Sequence, residues 1–262
     1  MIDIKNYKKK FNNNGFVFYN LKDLQEINRA QRIITVSKHQ TITDKKKFYK
    51  KNIQLQNKIY KLGIHKNILN SEFDFFKKIL GVSSKKDLMI TSFLHLRAVK
   101  KNKRNKKGYV GFHRETFYSD FDYTRHQVNI SIPLLNYSFK NSIKFIRGSH
   151  KIPDNRIKTI KLNSNQSKIH KNSDEHKLGF AYNPKIIIKG VKLKNGKRAK
   201  TKVGQIIVFK ATTIHGDGKN NSHKIRYSLD FGLIKKKYLV GKKLKDHHIS
   251  YTKDKKYWTS LG

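Results

Sequence analysis

Residues 88–235 form a succession of short β-rich runs, and this pattern restricts the fold more than any other feature of the sequence. Gly, Asn, Pro and Lys separate the runs, as expected of the turns in an all-β protein. No helix-length pattern lies between them at the spacing of βαβ units, which argues against a Rossmann-like sheet. A sandwich or jelly roll is therefore predicted, built from runs at 89–99, 108–117, 127–135, 142–148, 184–193, 202–209 and 224–234.

The N-terminal third of the chain instead has a helical periodicity. Apolar residues recur at helical spacing from Leu21 to Ile34, which predicts a helix there. Further helices are expected at residues 46–70 and 71–80, and a short strand is expected within residues 1–20. Residues 236–262 are polar and rich in Lys, and we expect them to be a tail or a docked arm.

Features that the sequence lacks also limit the domain organisation and the expected cellular location of the protein. No Gly/Pro/Ser-rich linker divides the 262 residues, so a single domain is expected. The chain has no Cys, which excludes disulfides and thiolate metal sites. The first residues lack the apolar stretch of a signal peptide, and no apolar run has the length of a membrane span. We therefore expect a cytoplasmic protein.

The charge of the chain is strongly unbalanced, with 60 Lys+Arg against 17 Asp+Glu and a formal net charge of +43. Such an excess suits binding to nucleic acid or to an anionic membrane. The excess is nearly all Lys, however, and it is scattered along a chain that is also rich in Asn and Ile. This pattern favours a solvated surface, and a nucleic-acid partner is kept as an alternative.

Two histidines and one carboxylate in the β-rich part form a candidate metal site. His113 and Glu115 are two residues apart, so on a strand both side chains point the same way while Arg114 points away. His215 follows the run at 202–209 in a short loop. Two imidazoles and a carboxylate are the ligand set of non-haem Fe(II) sites that leave positions open for O₂ and substrate. An isolated HxE motif is common by chance, so its weight depends on the residues farther along the chain.

Arg226 and Ser228, on the strand after the His215 loop, are candidates for binding a carboxylate. They share one face of that strand, and a guanidinium with a hydroxyl group can hold one carboxylate. A surface Arg is the alternative. The residues between and around them are apolar and are expected to pack on the opposite face: Ile225, Tyr227, Leu229 and Phe231.

Four further residues are weaker candidates for the pocket. Arg97 and Asn129 lie on predicted strands, where they could contact a cosubstrate, although an outward, solvated Arg97 fits the sequence equally well. Phe117 and Tyr118 follow the HxE pair closely and either line the substrate side or pack in the core. The basic loop at 100–107 either attracts an anionic substrate or is simply solvated.

Three ordered segments resemble the phytanoyl-CoA dioxygenase-like group of Fe(II)/2-oxoglutarate oxygenases. They are GFHRETFYSD, ISIPLLNYSFKNSIKFIRGSHK and VGQIIVFKATTIHGDGKNNSHKIRYSLDF. In that family the middle segment ends in a Gly-Ser-His-Lys turn, as residues 148–151 do here. The third segment carries the distal metal His and the Arg that binds the far carboxylate of 2-oxoglutarate. The resemblance covers residues 88–235.

This resemblance implies a fold and an activity. The fold would be mainly β with N-terminal helices and a double-stranded β-helix (jelly roll, cupin-like) core, in one oxygenase domain comprising residues 1–87, 88–235 and 236–262. His113, Glu115 and His215 would hold Fe(II). Arg226 and Ser228 would hold 2-oxoglutarate, and O₂ would take the remaining position.

The implied reaction is hydroxylation of a small metabolite, with release of succinate and CO₂. Desaturation and cyclisation stay open as outcomes, and an anionic substrate stays open as well. The family usually has Asp where this chain has Glu115, which puts the metal geometry in question. His150 belongs to a structural turn in the family and is left out of the ligand set. Two other classes stay open: a cupin-type metal-dependent isomerase or lyase, and a nucleic-acid-binding protein without enzymatic activity.

Overall fold

The computed structural model describes residues 4–101, 111–119, 121–161, 178, 185–216, 220–242 and 256–262. The basic loop at 100–107 therefore lies outside the described residues, apart from its first two. Within the described part, the helices are α1 (Ile4–Asn14), α2 (Gln25–Val36), α3 (Lys45–Lys61), α4 (Ile64–Ser71) and α5 (Phe73–Leu80). None of these helices is long and apolar enough to cross a lipid bilayer.

The strands are antiparallel. They are β1 (Phe16–Asn20), β2 (Leu88–Thr91), β3 (His95–Val99), β4 (Val128–Leu135), β5 (Lys144–Phe145), β6 (Lys158–Lys161), β7 (Lys185–Lys189), β8 (Lys197–Arg198), β9 (Gln205–Lys210), β10 (His215–Gly216), β11 (Arg226–Lys235) and β12 (Trp258–Ser260). The strands of the predicted runs are joined by four short strands that were not predicted: β6, β8, β10 and β12. The main sheet has the order β1-β9-β4-β11-β2-β12, and β3 also pairs with β11. A smaller sheet has the order β10-β5-β8, and β6 pairs with β7.

The two faces of β11 have opposite character, and this difference sets the layers of the fold. Tyr227, Leu229 and Leu233 are fully buried on one face, in the same apolar cluster as the helices. Helix α2, for example, buries Ile27, Ala30 and Ile34, at the spacing of one helix face. The helices thus cover one face of the main sheet. On the opposite face, β11 carries the polar side chains of Arg226, Ser228 and Asp230.

Within the described residues, the main sheet stays open and does not close into a barrel. The arrangement is a jelly-roll-like fold: a large antiparallel sheet covered by helices on one side, with a small antiparallel sheet beside it. The prediction of a mainly β protein with N-terminal helices is confirmed at this level.

The N-terminal residues differ from the prediction, because helix α1 precedes the expected strand. Tyr7 and Phe11 are four residues apart and so lie on one face of α1. Phe11 is buried, and the ring of Tyr7 meets the rings of Tyr19 and Phe75 edge-on at 5.7 and 5.8 Å. Gly15 then turns the chain into β1 with φ +85, where a Cβ atom would lie 2.5 Å from side-chain atoms of His150 and Thr213. The composition of this segment does not favour a helix, so α1 is stabilised mainly by its tertiary contacts.

The run predicted as one strand at 89–99 is two strands, because its halves pair with different parts of β11. β2 pairs opposite Leu233–Lys235, whereas β3 pairs opposite Arg226–Asp230. On its outer side, β2 also pairs with β12 from the C-terminal end of the chain. Trp258 of β12 is only 2% exposed, so this terminal segment is docked against the sheet.

The histidine at position 65 predicts a specific dependence of stability on pH. His65 is 1% exposed, and neither ring nitrogen has a hydrogen-bond partner among the described residues. Burial lowers its pKa from 6.5 to about 3, so below pH 6.5 the unfolded chain binds a proton that the folded chain does not. The free energy of unfolding is expected to fall as the pH drops from 6.5 towards 3, by up to about 1.4 kcal/mol per pH unit from this group.

Urea unfolding at several pH values between about 4 and 7 measures this slope. In His65→Leu, the free energy of unfolding is expected to fall less steeply as the pH drops, because the contribution of His65 is removed. The control His223→Leu, which removes an exposed histidine, is expected to keep it. Equal slopes for wild type and His65→Leu would show that His65 has no such role.

Candidate metal centre and adjoining pocket

The backbones of His113 and His215 form one antiparallel bridge, which brings two distant segments together. The amide of each residue donates to the carbonyl of the other, at 2.9 and 3.0 Å. His215 belongs to β10, which also pairs with β5. Their imidazole rings consequently lie side by side, with centroids 4.4 Å apart.

Each imidazole is held by a hydrogen bond at its Nδ1 atom. Nδ1 of His113 lies 2.9 Å from the carbonyl oxygen of Gly111, and Nδ1 of His215 lies 2.9 Å from that of Thr213. Because a carbonyl oxygen only accepts, both Nδ1 atoms must carry the proton when the rings are neutral. Both Nε2 atoms then present a lone pair, which is the form that binds a metal ion.

The carboxylate of Glu115 faces these two nitrogens. Its Oε1 atom lies 3.4 Å from Nε2 of His215 and 3.9 Å from Nε2 of His113. Two ligand atoms about 2.1 Å from a shared metal are about 3–3.5 Å apart, so these separations are close to those of a metal site. The longer side chain of Glu, compared with the usual Asp, therefore does reach the two imidazoles.

The local structure at Glu115 differs from the predicted strand. His113 is in extended bridge geometry, but Glu115 begins a 3-10 turn that runs to Tyr118. The amide of Glu115 donates to the carbonyl of Ala211 at 3.0 Å, which anchors the turn to the segment before His215. The side chains of His113 and Glu115 still converge, through this turn rather than through strand alternation.

The electrostatics of the three groups suit a bound cation. Burial lowers the pKa of His113 to about 4, assisted by the charge of His215. Burial raises the pKa of Glu115, but the hydrogen bond and charge of His215 outweigh this effect and hold it at about 2. At neutral pH, a neutral imidazole therefore faces an ionised carboxylate. Two imidazole nitrogens and an ionised carboxylate are ligands that a divalent metal ion binds, so the three groups fit such an ion.

Arg114 points away from this cluster and stabilises the neighbouring turn at residues 148–151. Its guanidinium is 1% exposed and donates to the side chain of Asp154 and to the carbonyl of Ser149. The hydroxyl of Ser149 in turn accepts from the amide of Ile214 at 2.8 Å. The turn at 148–151 thus contacts both segments that carry the candidate ligands. In that turn, His150 hydrogen-bonds the carbonyl of Asn12 at 2.9 Å.

The predicted cosubstrate residues lie on the polar face of the main sheet. Arg226 and Ser228 are buried there, at 5% and 3% exposure, and Arg97 lies opposite Ser228 in the β3–β11 register. Arg226 donates to the carbonyl of Asn141. Arg97 pairs with Asp230 at 3.1 Å, and its side chain is 30% exposed.

Charge links this polar face to the candidate metal centre. Arg97 is near enough for its charge to contribute to the lowered pKa values of His113 and Glu115. It also contributes to the lowered pKa of Arg226, which burial chiefly causes. The charges of Arg97 and Arg198 both act on Arg226, and Asp230 pairs with Arg97, so the described part of this face retains positive charge that suits an anion. The sequence did not predict the pairing of Asp230 with Arg97, because that pairing depends on the register between β3 and β11.

The remaining predicted residues lie around these groups. Asn129 is 8% exposed, and its Oδ1 atom accepts from Nε2 of Gln127 at 2.6 Å. Phe117 packs in an apolar cluster, in line with the core alternative for it. The ring of Tyr118 meets that of His113 edge-on at 5.5 Å.

A small cleft of about 60 Å³ opens beside Glu115. The side chain of Glu115 is 34% exposed, against 15% for His113 and 9% for His215, so the cluster is open on the carboxylate side. The sequence did not single out most of the lining residues. The described lining comprises Glu115, Tyr118, Ser119, Tyr123, Thr124, Gln127 and Tyr257.

No protein-family model and no curated protein sequence matches this chain, but solved structures match its fold. EvdO2 from Micromonospora carbonacea var. aurantiaca, complexed with 2-oxoglutarate, has a TM-score of 0.62 at 12% identity, covering 90% of this chain and 91% of that chain. The non-heme alpha ketoglutarate dependent epimerase SnoN from nogalamycin biosynthesis has a TM-score of 0.53 at 12% identity, covering 88% and 80%. The carbocyclase SnoK from the same biosynthesis has a TM-score of 0.53 at 9% identity, covering 88% and 83%. The chain shares its fold with these non-haem, 2-oxoglutarate-dependent enzymes.

The geometry predicts one divalent metal ion per chain, bound by three side chains. His113→Ala and His215→Ala should each weaken Fe(II) or Co(II) affinity by at least about 100-fold, because even the loss of a group that only orients a ligand costs up to that factor. Anaerobic metal titration measures the affinity. His150→Ala, which removes a histidine outside the cluster, is the control and should bind as the wild type does. Unchanged affinity in both ligand variants would refute the site.

Proposed function

We propose that this protein is an Fe(II)- and 2-oxoglutarate-dependent oxygenase of the phytanoyl-CoA dioxygenase-like group. One observation carries the proposal: Nε2 of His113, Nε2 of His215 and Oε1 of Glu115 lie within 4.8 Å of one another. The SnoN structure with Fe3+, alpha ketoglutarate and nogalamycin RO, at a TM-score of 0.51 and 13% identity, supports it by shared fold.

In this proposal, Fe(II) would be bound by three side chains, those of His113, Glu115 and His215. When bound, iron with 2-oxoglutarate and O₂ supplies the oxidation of a C–H bond, with release of succinate and CO₂. The carbonyls of Gly111 and Thr213 keep the two imidazoles neutral and oriented. Because Glu115 fills a coordination position, the site favours hydroxylation over halogenation, which needs that position for a halide.

The polar face of the main sheet binds 2-oxoglutarate in this proposal. Arg226 and Ser228 hold its distal carboxylate, and Arg97 and Asn129 lie on the same side of the sheet. Burial strengthens the attraction between the guanidinium of Arg226 and a carboxylate, because little water remains to screen it. Asp230 pairs with Arg97 and holds that guanidinium on the polar face.

The proposed substrate is a small molecule that is hydroxylated beside Glu115. We further propose that residues 1–262 act as one oxygenase domain, in which the two larger sheets are the sides of a double-stranded β-helix. The apolar cluster that runs from Phe11 to Leu261 supports a single domain. A cytoplasmic location stays a prediction from the sequence.

The proposal predicts that 2-oxoglutarate binding depends on both the metal and Arg226. With Fe(II) under anaerobic conditions, Arg226→Ala should weaken 2-oxoglutarate binding at least about 30-fold, because removing one partner of a buried ion pair costs about 2–5 kcal/mol. Arg226→Lys keeps the charge but loses the planar fork, and should bind with intermediate affinity. Under air, the wild type should convert 2-oxoglutarate to succinate, and His215→Ala should not.

Arg29→Ala is the matched control, since Arg29 is exposed on α2, and it should leave 2-oxoglutarate affinity unchanged. Thermal melting of each variant separates lost binding from lost folding. Failure of the wild type to bind Fe(II) or 2-oxoglutarate would overturn the proposal. A metal-dependent isomerase or lyase would bind the metal but neither bind nor consume 2-oxoglutarate.

A further inference from the structure

The hydroxyl group of Tyr137 is buried without an acceptor for its proton. Tyr137 is 6% exposed, and its hydroxyl oxygen makes no hydrogen bond among the described residues. The amide of Ile143 approaches this oxygen, but an amide N–H only donates and cannot take the phenolic proton. Buried hydroxyl groups in folded proteins are normally hydrogen-bonded, so this one is available to a bound ligand.

Tyr137 lies against the guanidinium of Arg226, which the proposed function assigns to the distal carboxylate of 2-oxoglutarate. The guanidinium carbon of Arg226 lies 5.2 Å from the centre of the Tyr137 ring. Arg226 is 5% exposed, so the two groups share surroundings from which water is largely excluded. A carboxylate has two oxygens and can therefore accept from a guanidinium and from a phenol at the same time.

Hydrogen bonds around Tyr137 fix its position relative to Arg226. Asn136 has φ +54, a left-handed conformation that Asn adopts more readily than most residues, and its side chain donates to the carbonyl of Ile225 at 2.8 Å. The side chain of Asn141 donates to the carbonyl of Asn136 at 2.7 Å, and the carbonyl of Asn141 accepts from Arg226. These bonds join the segment that carries Tyr137 to the start of β11, so the phenol is positioned in advance, as a tight binding site requires.

The ring of Tyr137 also connects Arg226 with the candidate metal centre. It packs in the apolar cluster that contains Phe145 and Phe209. The ring centres of Phe209 and Phe145 lie 4.7 and 6.1 Å from that of His215. Tyr137 thus contacts the guanidinium on one side and the aromatic cluster beside His215 on the other.

The phenol of Tyr137 keeps its proton at neutral pH. Burial raises its pKa, and the charge of Arg226 opposes this effect without cancelling it. The described charges that act on the phenol are those of Arg226 and Arg198, which are positive, and that of Asp230, which is negative. A protonated phenol in mainly positive surroundings suits an anionic acceptor, and burial strengthens a hydrogen bond to such an acceptor.

We propose that Tyr137 is a further binding residue for the cosubstrate, and that its hydroxyl group donates a hydrogen bond to the distal carboxylate of 2-oxoglutarate beside Arg226. The inference rests on the proposed function and deepens it. It assigns to Tyr137 part of the selectivity for a 2-oxo acid with a second carboxylate over one that ends in a methyl group.

Tyr137→Phe tests the inference, because it removes the hydroxyl group and keeps the ring. In calorimetric titrations of the full chain loaded with Zn(II), this variant should bind 2-oxoglutarate about tenfold more weakly, since a hydrogen bond to a charged group is lost. 2-Oxopentanoate, which has a methyl group in place of the distal carboxylate, should not discriminate between the variant and the wild type. A merely structural role of the hydroxyl group would affect both acids alike.

Tyr227→Phe is the matched control, since Tyr227 is a buried tyrosine on the opposite face of β11 whose hydroxyl is hydrogen-bonded to Nδ1 of His39 at 3.0 Å. It should lower the melting temperature of the metal-free chain, because His39 loses a buried partner, and leave 2-oxoglutarate affinity unchanged. Tyr137→Phe should do the reverse. Its metal-free melting temperature should not fall, because no protein acceptor loses a partner.

The outcomes separate this inference from the proposed function. Absence of 2-oxoglutarate binding by the Zn(II)-loaded wild type would refute the proposed function and the inference with it. If the wild type binds, three results each overturn the inference alone: equal 2-oxoglutarate affinity in Tyr137→Phe, an equal loss of affinity for 2-oxopentanoate, or a lower melting temperature of the metal-free Tyr137→Phe chain.

Discussion

The pairing of His113 with His215 is the interaction on which the candidate site depends. Two backbone hydrogen bonds join the segments, and each imidazole is then oriented by a carbonyl two residues before it. Glu115 reaches the same point because its amide is bonded to Ala211 in the segment that carries His215. Backbone hydrogen bonds thus bring together the three residues that carry the candidate ligand atoms.

The two-faced character of β11 explains how buried polar side chains lie on the opposite side of the strand from the apolar core. One face contributes Tyr227 and Leu229 to the core beneath the helices. Side chains alternate along a strand, so Arg226, Ser228 and Asp230 necessarily lie on the other face. Burial of the apolar face therefore keeps the polar face on the side of the candidate metal centre. A shift of one residue in register would turn the apolar side chains to that side and the polar side chains to the core.

The sequence predicted those features that depend on local spacing, and it missed those that depend on register or on distant contacts. The strands, the α2–α5 helices and the opposite faces of β11 follow from periodicity. The grouping of His113, Glu115 and His215 came from motif order, although the turn at Glu115 depends on a bond to Ala211 that no local pattern reveals. Asp230 and Tyr257 were missed for the same reason, because their roles arise from pairing with β3 and from docking of the C-terminal strand.

The central claim is that one metal ion is bound by His113, Glu115 and His215 on the helix-free side of the main sheet. A crystal structure of the Zn(II)-substituted protein with 2-oxoglutarate tests it most directly, since zinc holds these ligand types without reacting with O₂. We predict zinc about 2.0–2.2 Å from Nε2 of both histidines and from a carboxylate oxygen of Glu115, with the distal carboxylate of 2-oxoglutarate at Arg226. Zinc bound by other residues, or 2-oxoglutarate bound away from Arg226, would contradict the claim.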